Sequence, residues 1–274
     1  MNNNNSILLI DPAFDPATAS ACNLLIKVGL DSFSYAIINK ETNQVSAVFD
    51  EQECEDGAQK FAERLKTDSY LTLPYQEVKV AVHTENAIAV PNDLYTDDSI
   101  NTHAQFFTET PVGDFYTQAQ PHFGFTTIFS LPKTTNEALT GFIDGKKYSQ
   151  HAGLLALAEK INETALLLDF SVGSFSALYI QQQQVVFQQC YEIENLDEFN
   201  YYLLLIINQL NINTKEANLH LTGIIHEGDD KCTCLLKYFS KADFIAASNN
   251  LDQQILDDMP AHYYSSLLAL DQCV

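Results

Sequence analysis

Two segments of the chain share one pattern, and this repeat constrains the fold more than any other feature. The segments are LLIKVGLDSFSYAIINKETNQVSAVF (residues 24–49) and LLLDFSVGSFSALYIQQQQVVFQQ (residues 166–189). When Lys27 is aligned with Asp169, the tripeptide SFS occurs at the same place in both segments. Each segment has an apolar strand, a short polar turn, an alternating strand, a second turn and a third strand. This pattern predicts a three-stranded β-meander in each segment.

Each predicted meander is followed by a helical pattern and one further strand. In the first half these are DGAQKFAERLK (residues 56–66) and VKVAVHT (residues 78–84). In the second half, Asn195 and Glu198 give an N-terminal capping signal for a helix, and ANLHLTG (residues 217–223) follows it. The order βββαβ therefore occurs twice, and we expect an α/β protein with two lobes, each a mixed sheet covered by helices.

The repeat also predicts where the lobes lie along the chain. We expect a first lobe over residues 1–160, with an insert at about residues 84–125, and a second lobe over residues 161–274. Between the repeats, SQHAGLLALAEKI keeps helical spacing, and Ser149 is its expected N-cap. Pro260 is expected to open a C-terminal helix, PAHYYSSLLAL.

Charge and hydropathy exclude several classes of function. The 274 residues include 14 Lys and Arg against 36 Asp and Glu, a net charge of −22, and Arg64 is the only arginine. Binding to nucleic acid requires cationic side chains that displace counterions, so we exclude DNA and RNA as direct ligands. The opening MNNNNSILLID lacks a cationic segment, and no stretch approaches the roughly 20 apolar residues of a membrane span. We expect a cytoplasmic protein without membrane insertion.

Five segments in a fixed order resemble a known group of proteins. They are LLIKVGLDSFSYAIIN, IAVPNDLY, FTTIFSLP, SQHAGLLAL and LLLDFSVGSFSALYIQ. The doubled βββαβ unit is similar to the actin-like ATPase superfamily, with a ribonuclease H-like fold in each lobe, which includes actin, Hsp70, sugar kinases, FtsA and PilM. The whole chain looks like an uncharacterised bacterial family of unknown function with that fold. The resemblance implies the fold rather than an activity, because none of the segments is a catalytic motif.

The resemblance also implies where nucleotide would bind, if it binds. In working members, the turn after the first strand of each lobe holds phosphate, and an Asp at the strand end positions Mg²⁺ or water. In the second lobe, Asp169 is at the position of that acid, and Ser171, Gly173 and Ser174 form the turn. This turn has one glycine where working turns usually have two or three. An Asp that caps a turn is the alternative interpretation of Asp169.

The first lobe departs further from the pattern of the superfamily. Lys27 stands where the acid is expected, and Gly29, Asp31 and Ser32 form the turn. A lysine binds phosphate as a point charge but does not hold Mg²⁺. On the adenosine side, Gly223 is a single glycine where active members resemble a double-glycine turn. We therefore expect any binding of ATP to depend little on Mg²⁺, and we name no catalytic residue.

Other side chains give weaker signals. Cys232 and Cys234 are two residues apart on a predicted helix, where their side chains point away from each other, so we expect no zinc site and no other metal site. The insert is rich in aromatic residues: we expect most of them in the core, and a contact surface is the alternative interpretation.

Two hypotheses for the function follow. The first is a non-enzymatic actin-like scaffold or adaptor that acts through protein contacts, including self-association, and needs no cofactor. The second is a nucleotide-binding protein or weak ATPase or kinase that uses ATP and Mg²⁺.

Overall fold

The chain divides into two compact units in the structure, which is a computed structural model describing residues 5–111, 113–142, 145–247 and 250–274. Unit 1 consists of Met1–Ala152 with Leu251–Ile255, and unit 2 of Gly153–Asn250 with Leu256–Val274. Along the chain the strands and α-helices are β1 Ser6–Ile10, β2 Cys22–Val28, β3 Phe33–Asn39, β4 Gln44–Glu51, α1 Gly57–Arg64, β5 Glu77–Val82, β6 Ala87–Pro91, α2 Ile100–His103, β7 Phe115–Gln120, β8 Phe125–Ser130, α3 Lys133–Ala138, β9 Lys146–Ser149, α4 Ala152–Ala158, β10 Ala165–Ser171, β11 Ser174–Gln181, β12 Gln184–Glu192, α5 Leu196–Gln209, β13 Asn218–Gly223, α6 Asp230–Leu235, β14 Asp243–Phe244 and α7 Ser265–Leu268.

The main sheet of each unit is mixed, and this confirms the predicted fold class. In unit 1 the strand order is β1-β4-β3-β2-β5-β9, and in unit 2 it is β12-β11-β10-β13-β14. The meander strands are antiparallel, whereas β5 runs parallel to β2 and β13 runs parallel to β10. A parallel neighbour needs a crossover, and α1 and α5 supply it in the two units.

The two meanders have the same hydrogen-bonding register. Lys27 pairs with Ser34 across β2 and β3, and Asp169 pairs with Ser176 across β10 and β11. Each meander also has a register shift three residues further on, after Ile37 in β3 and after Tyr179 in β11. The alignment of the two SFS tripeptides is therefore a structural equivalence.

The phenylalanine of each SFS tripeptide anchors the crossover helix to the sheet. In unit 1, Phe33 packs edge-on against Phe61 of α1, with ring centroids 5.8 Å apart. In unit 2, Phe175 packs edge-on against Phe199 of α5 at 5.1 Å. All four rings are buried, and edge-to-face pairs contribute about 0.5–1.5 kcal/mol beyond the burial of their area. The repeat thus encodes the attachment of helix to sheet.

Both crossover helices begin at a capped residue, and the capping signal predicted for α5 at Asn195 is confirmed. The Asp56 side chain accepts a hydrogen bond from the Gln59 amide of α1, and the Asn195 side chain accepts one from the Glu198 amide of α5. The Glu198 carboxylate accepts a hydrogen bond from the Glu194 amide in return. These bonds satisfy amides that the first helical turn leaves without a partner.

The structure differs from the sequence predictions at four elements. Ser149 is the last residue of β9 rather than a helix cap, because residues 146–149 continue the sheet beside β5. The C-terminal helix is one turn, Ser265–Leu268. The strands β1 and β7 were not predicted: β1 is a short apolar run, and β7 alternates weakly. The insert forms a separate sheet of order β6-β8-β7. No helix of the described residues is long and apolar enough to cross a bilayer.

The only arginine, Arg64, is half-buried in unit 1 and pairs with the buried Asp68. The Arg64 side chain donates a hydrogen bond to the Asp68 carboxylate at 2.8 Å, and its guanidinium lies 4.1 Å from the centre of the Phe49 ring. The Tyr35 hydroxyl and the Tyr70 amide also donate to Asp68, each at 2.9 Å. Burial and the nearby Asp68 carboxylate raise the pKa of Tyr35 above its usual range. Arg64 therefore supplies the positive charge that offsets the buried Asp68 carboxylate.

Replacing Arg64 should test this network. We expect Arg64→Met to lower the free energy of unfolding by about 3 kcal/mol, because it leaves the Asp68 carboxylate buried without its cation. Lys60→Met is the matched control, since Lys60 pairs with Glu63 on the surface, and we expect a loss below about 1 kcal/mol. Chemical denaturation measures both values. Equal losses in the two variants would contradict the network.

The buried His220 should make unit 2 sensitive to pH. Burial lowers the pKa of His220, although Glu163 and Asp243 act in the opposite direction. In the unfolded chain its pKa is near 6.5, so the unfolded state binds the proton more tightly than the folded state. Below about pH 6.5 stability should therefore decrease as the pH falls. Denaturation of the wild type at pH 7.5 and pH 5.5 should show this loss, and His220→Gln should show less of it. An identical pH dependence in both proteins would contradict the assignment.

Candidate functional site

Unit 2 brings together the five residues predicted to form its phosphate turn and strand ends. Ser171 pairs with Ser174 to close the β10–β11 hairpin, and Gly173 in the turn has φ 66°. The Gly173 carbonyl accepts a hydrogen bond from the Ile193 amide at 2.8 Å. Asp169 lies two residues before Ser171 and pairs with Ser176 on one side, and Thr222 lies beside it on β13.

Asp169 is enclosed by the end of β13. Its exposed fraction is 2%, and Gly223 follows Thr222 with φ 81°. A Cβ atom on Gly223 would lie 2.1 Å from the Phe170 carbonyl oxygen and 2.7 Å from Asp169 Oδ1. Both the backbone angle and the contact distance require glycine at this position. Glycine at position 223 thus allows the end of β13 to pack closely against the Asp169 carboxylate.

The C-terminal segment uses the backbone groups at the end of β13. The His262 carbonyl accepts hydrogen bonds from the Gly223 amide at 3.0 Å and from the Thr222 hydroxyl at 2.9 Å. Nε2 of His262 is 2.6 Å from the Ile225 carbonyl oxygen, and the Ile224 amide donates to the Phe170 carbonyl. Backbone amides that point together into open space are what a phosphate needs. Here the amides of Gly223 and Ile224 are bonded within the protein.

A cavity of about 470 Å³ adjoins the β10–β11 turn within unit 2. Its lining carries Glu194, Asp229 and Asp230 against one cation, Lys231. The first turn of α5, which begins at this cavity, adds Asp197 and Glu198. These acids occupy the positive end of the helix dipole and oppose a polyphosphate.

In unit 1 the helix that follows the meander packs against the predicted turn. The Gly29 amide donates to the Ser32 carbonyl at 2.8 Å, the Cys54 amide to the Asp31 carbonyl at 2.9 Å, and the Gly57 amide to the Leu30 carbonyl at 2.6 Å. A Cβ atom on Gly57 would lie 2.5–2.9 Å from the carbonyl oxygens of Gly29, Ser32 and Leu30. The first residue of α1 therefore packs directly onto the turn, and the turn presents carbonyl oxygens to it.

Lys27 lies on β2 at the position that Asp169 has on β10. It is half-buried, and it pairs with Ser34 of β3 and lies beside Ala81 of β5. A cavity of about 280 Å³ next to the turn is lined by Asp31, Glu55 and Asp56, among others. The surroundings of the turn in unit 1 are therefore acidic.

Sequence reasoning missed Gly57 and His262. Gly57 follows the Asp56 cap, and a glycine in the first turn of a helix was a signal that something lies close to its backbone. His262 gave no signal, because its contact to Gly223 is a backbone bond between distant segments.

The two cysteines of α6 are packing residues. Cys232 and Cys234 are buried, and burial raises the pKa of both thiols, which disfavours the thiolate that a metal requires. The Cys234 thiol instead lies 3.2 Å from the amide oxygen of Asn200 on α5.

Comparison with known proteins shows the family. A family model described as protein of unknown function (DUF3822) matches residues 11–242, which is most of the chain. The chain belongs to this family. No curated protein matches the sequence.

Solved structures show the fold. A protein of Bacteroides thetaiotaomicron with an actin-like ATPase fold and unknown function is 16% identical, with a TM-score of 0.78, over 95% of this chain and 99% of that one. The PilM–PilN type IV pilus biogenesis complex matches at 12% identity and a TM-score of 0.59, over 91% and 97%. The ethanolamine utilization protein EutJ of Carboxydothermus hydrogenoformans matches at 8% and 0.52, over 97% and 93%. The DUF3822 chain has the actin-like ATPase fold, as the resemblance implied.

Substitution of Gly57 should show how tightly the turn of unit 1 is packed. Alanine normally stabilises a helix relative to glycine, but here its methyl group would overlap three carbonyl oxygens. We expect Gly57→Ala to lower the free energy of unfolding by about 1–3 kcal/mol. Gly124→Ala is the control, since Gly124 has φ 74° but no atom within 4 Å of the added methyl, and we expect about 1 kcal/mol from backbone strain alone. Denaturation of both variants checks this, and a stabilised Gly57→Ala protein would contradict it.

Proposed function

We propose that this DUF3822 protein is a non-enzymatic actin-like scaffold of the cytoplasm that acts through contacts with other proteins. The observation that carries the proposal is that protein groups pack against the predicted turn of unit 1 and bond the end of β13 beside the predicted turn of unit 2. The first residue of α1 packs against three carbonyl oxygens of the turn in unit 1. In unit 2 the His262 carbonyl accepts a hydrogen bond from the Gly223 amide, and the exposed fraction of Asp169 is 2%.

Two further observations support a role in protein contacts. The insert of unit 1 exposes large apolar side chains: Leu94 is 65% exposed and Phe106 is 76% exposed. Aromatic side chains such as Phe106 are enriched at protein interfaces relative to the rest of the surface. Among proteins of the same fold, PilM is found in a complex with PilN. On this proposal the chain keeps the fold as a rigid frame for such contacts, and it requires no cofactor.

One observation favours the second hypothesis, a nucleotide-binding protein. Asp169, Ser171, Gly173, Ser174 and Gly223 lie together in unit 2, and they are the residues to which the resemblance assigns phosphate and Mg²⁺. ATP bound there would have to displace the His262 carbonyl from the Gly223 amide. The acidic lining near α5 would also oppose its charge.

A thermal-shift and turnover experiment separates the two hypotheses. A ligand at a hundred times its dissociation constant stabilises the folded state by about 2.7 kcal/mol, which is a shift of several degrees. We expect no shift with millimolar ATP, with or without Mg²⁺, and no hydrolysis above a blank. In native extract we expect the tagged protein to capture a specific protein complex.

The variants decide which residues act if ATP does bind. A shift that requires Mg²⁺ and is lost in Asp169→Asn would overturn the scaffold proposal, because the amide keeps the shape of the carboxylate but not its charge. A shift that ignores Mg²⁺ and is lost in Lys27→Ala would also overturn it, and would place the phosphate in unit 1. Leu94→Ser with Phe106→Ser should leave the melting temperature unchanged and remove the captured complex.

A further inference from the structure

The strand β12 is an open edge of the sheet in unit 2. Within the described residues it pairs with β11 alone, over its length from Gln184 to Glu192. An edge strand directs alternate backbone N–H and C=O groups away from its sheet, and these groups can pair with another strand. Val186 is 50% exposed, and Gln184 and Gln189 are also exposed.

In unit 1 the equivalent sheet edge is paired with a further strand. The equivalent of β12 is β4, the third strand of the other meander, and β4 carries β1 along its outer edge in antiparallel register. The register pairs Leu8 with Phe49 and Ile10 with Ala47. The strand that occupies this position, SILLI, carries no charge. In unit 2 the same position beside β12 has no strand among the described residues.

The sequence of β12 carries few features that protect an edge. Natural edge strands carry lysine, proline or inward-pointing charges, or have a bulge, to prevent pairing with other chains. From Gln181 to Tyr191 there is no proline and no charged residue, although the whole protein has a net charge of −22. Only a bulge at Val186 interrupts the pairing with β11. Beyond it, residues 187–191 are regular.

We propose that β12 is a self-association edge, through which two copies of the chain pair in antiparallel register about a two-fold axis at Gln189. The proposal rests on the proposed function, since it names a second copy of the chain as a partner of the scaffold. The paired strands would extend the two sheets into one.

The side chains of β12 favour a second copy of the chain as the partner that pairs with this edge. A basic partner would be drawn to the acidic surfaces rather than to a strand that carries no charge from Gln184 to Tyr191. About an axis at Gln189, the two Gln189 side chains face each other, and an amide side chain both donates and accepts hydrogen bonds. Phe187 lies opposite Tyr191, an aromatic cross-strand pair that would form twice. The charged Glu192 lies opposite Val186, so no like charges meet.

The first test is the oligomeric state of the intact protein. Sedimentation velocity from low to high micromolar concentration should show a reversible monomer–dimer equilibrium in the wild type. Gln189→Lys places two ammonium groups opposite each other at the axis, so we expect at least a tenfold weaker dimer. Gln184→Lys is the matched control, an exposed glutamine of the same strand that lies beyond the paired residues, and we expect it to dimerise like the wild type.

The second test reads the register directly. Residues directly opposite each other in an antiparallel pair have Cα atoms about 4.5–5.5 Å apart, which suits a disulfide. In a Cys190→Ser background, Gln189→Cys should therefore form a cross-linked dimer under mild oxidation, and Gln184→Cys should not.

Each result decides the proposal. A wild type that stays monomeric over this range overturns it, as does a dimer that both lysine variants weaken equally or a dimer in which Gln189→Cys does not cross-link. These outcomes leave the scaffold proposal standing if the protein still captures a complex from extract. ATP turnover with an intact dimer would instead remove the scaffold proposal alone.

Discussion

The rest of the structure depends on one contact in each unit. In it, a phenylalanine of the meander packs against a phenylalanine of the helix that follows the meander. Phe33 meets Phe61 in unit 1, and Phe175 meets Phe199 in unit 2. Because the helix must cross the sheet to reach the parallel strand, this contact sets the position of the crossover. The parallel strand then forms beside the first strand of the meander. It places Ala81 beside Lys27 in unit 1 and Thr222 beside Asp169 in unit 2. The SFS tripeptide therefore repeats because its middle residue attaches helix to sheet.

The same packing explains why the two turns are closed. A helix held against the second strand begins near the turn that precedes this strand, and in unit 1 Gly57 lies against the carbonyl oxygens of that turn. In unit 2 the segment leading into α5 reaches the turn through the bond from Ile193 to Gly173. In unit 1 the helix therefore lies directly against the turn, and in unit 2 the turn is bonded through the Gly173 carbonyl. Glycine at position 57 permits this approach, since any side chain would separate the helix from the turn.

The sequence predicted the fold well wherever contacts are local or repeated. The meanders, the cap Asn195 and the order βββαβ all depend on neighbouring residues or on the period of apolar side chains. The site was predicted only in part. The Asp169 position followed from the resemblance, but its enclosure by the end of β13 and by His262 depends on residues far apart in the chain. Ser149 failed as a cap for a similar reason, because the strand β9 is defined by its partner β5 rather than by its own four residues.

The two repeats now differ most where their sheets end. In unit 1 the meander is flanked by β1, and beyond β5 the sheet continues to β9. In unit 2 the position of β1 is vacant among the described residues, and β14 on the other side has two residues. The interiors of the two repeats share the strand register, the bulge and the aromatic pair between helix and sheet. The two units differ at the edges of their sheets and in the insert, which only unit 1 contains. The same register in both interiors therefore leaves the sheet edges as the places where the two units can make different contacts.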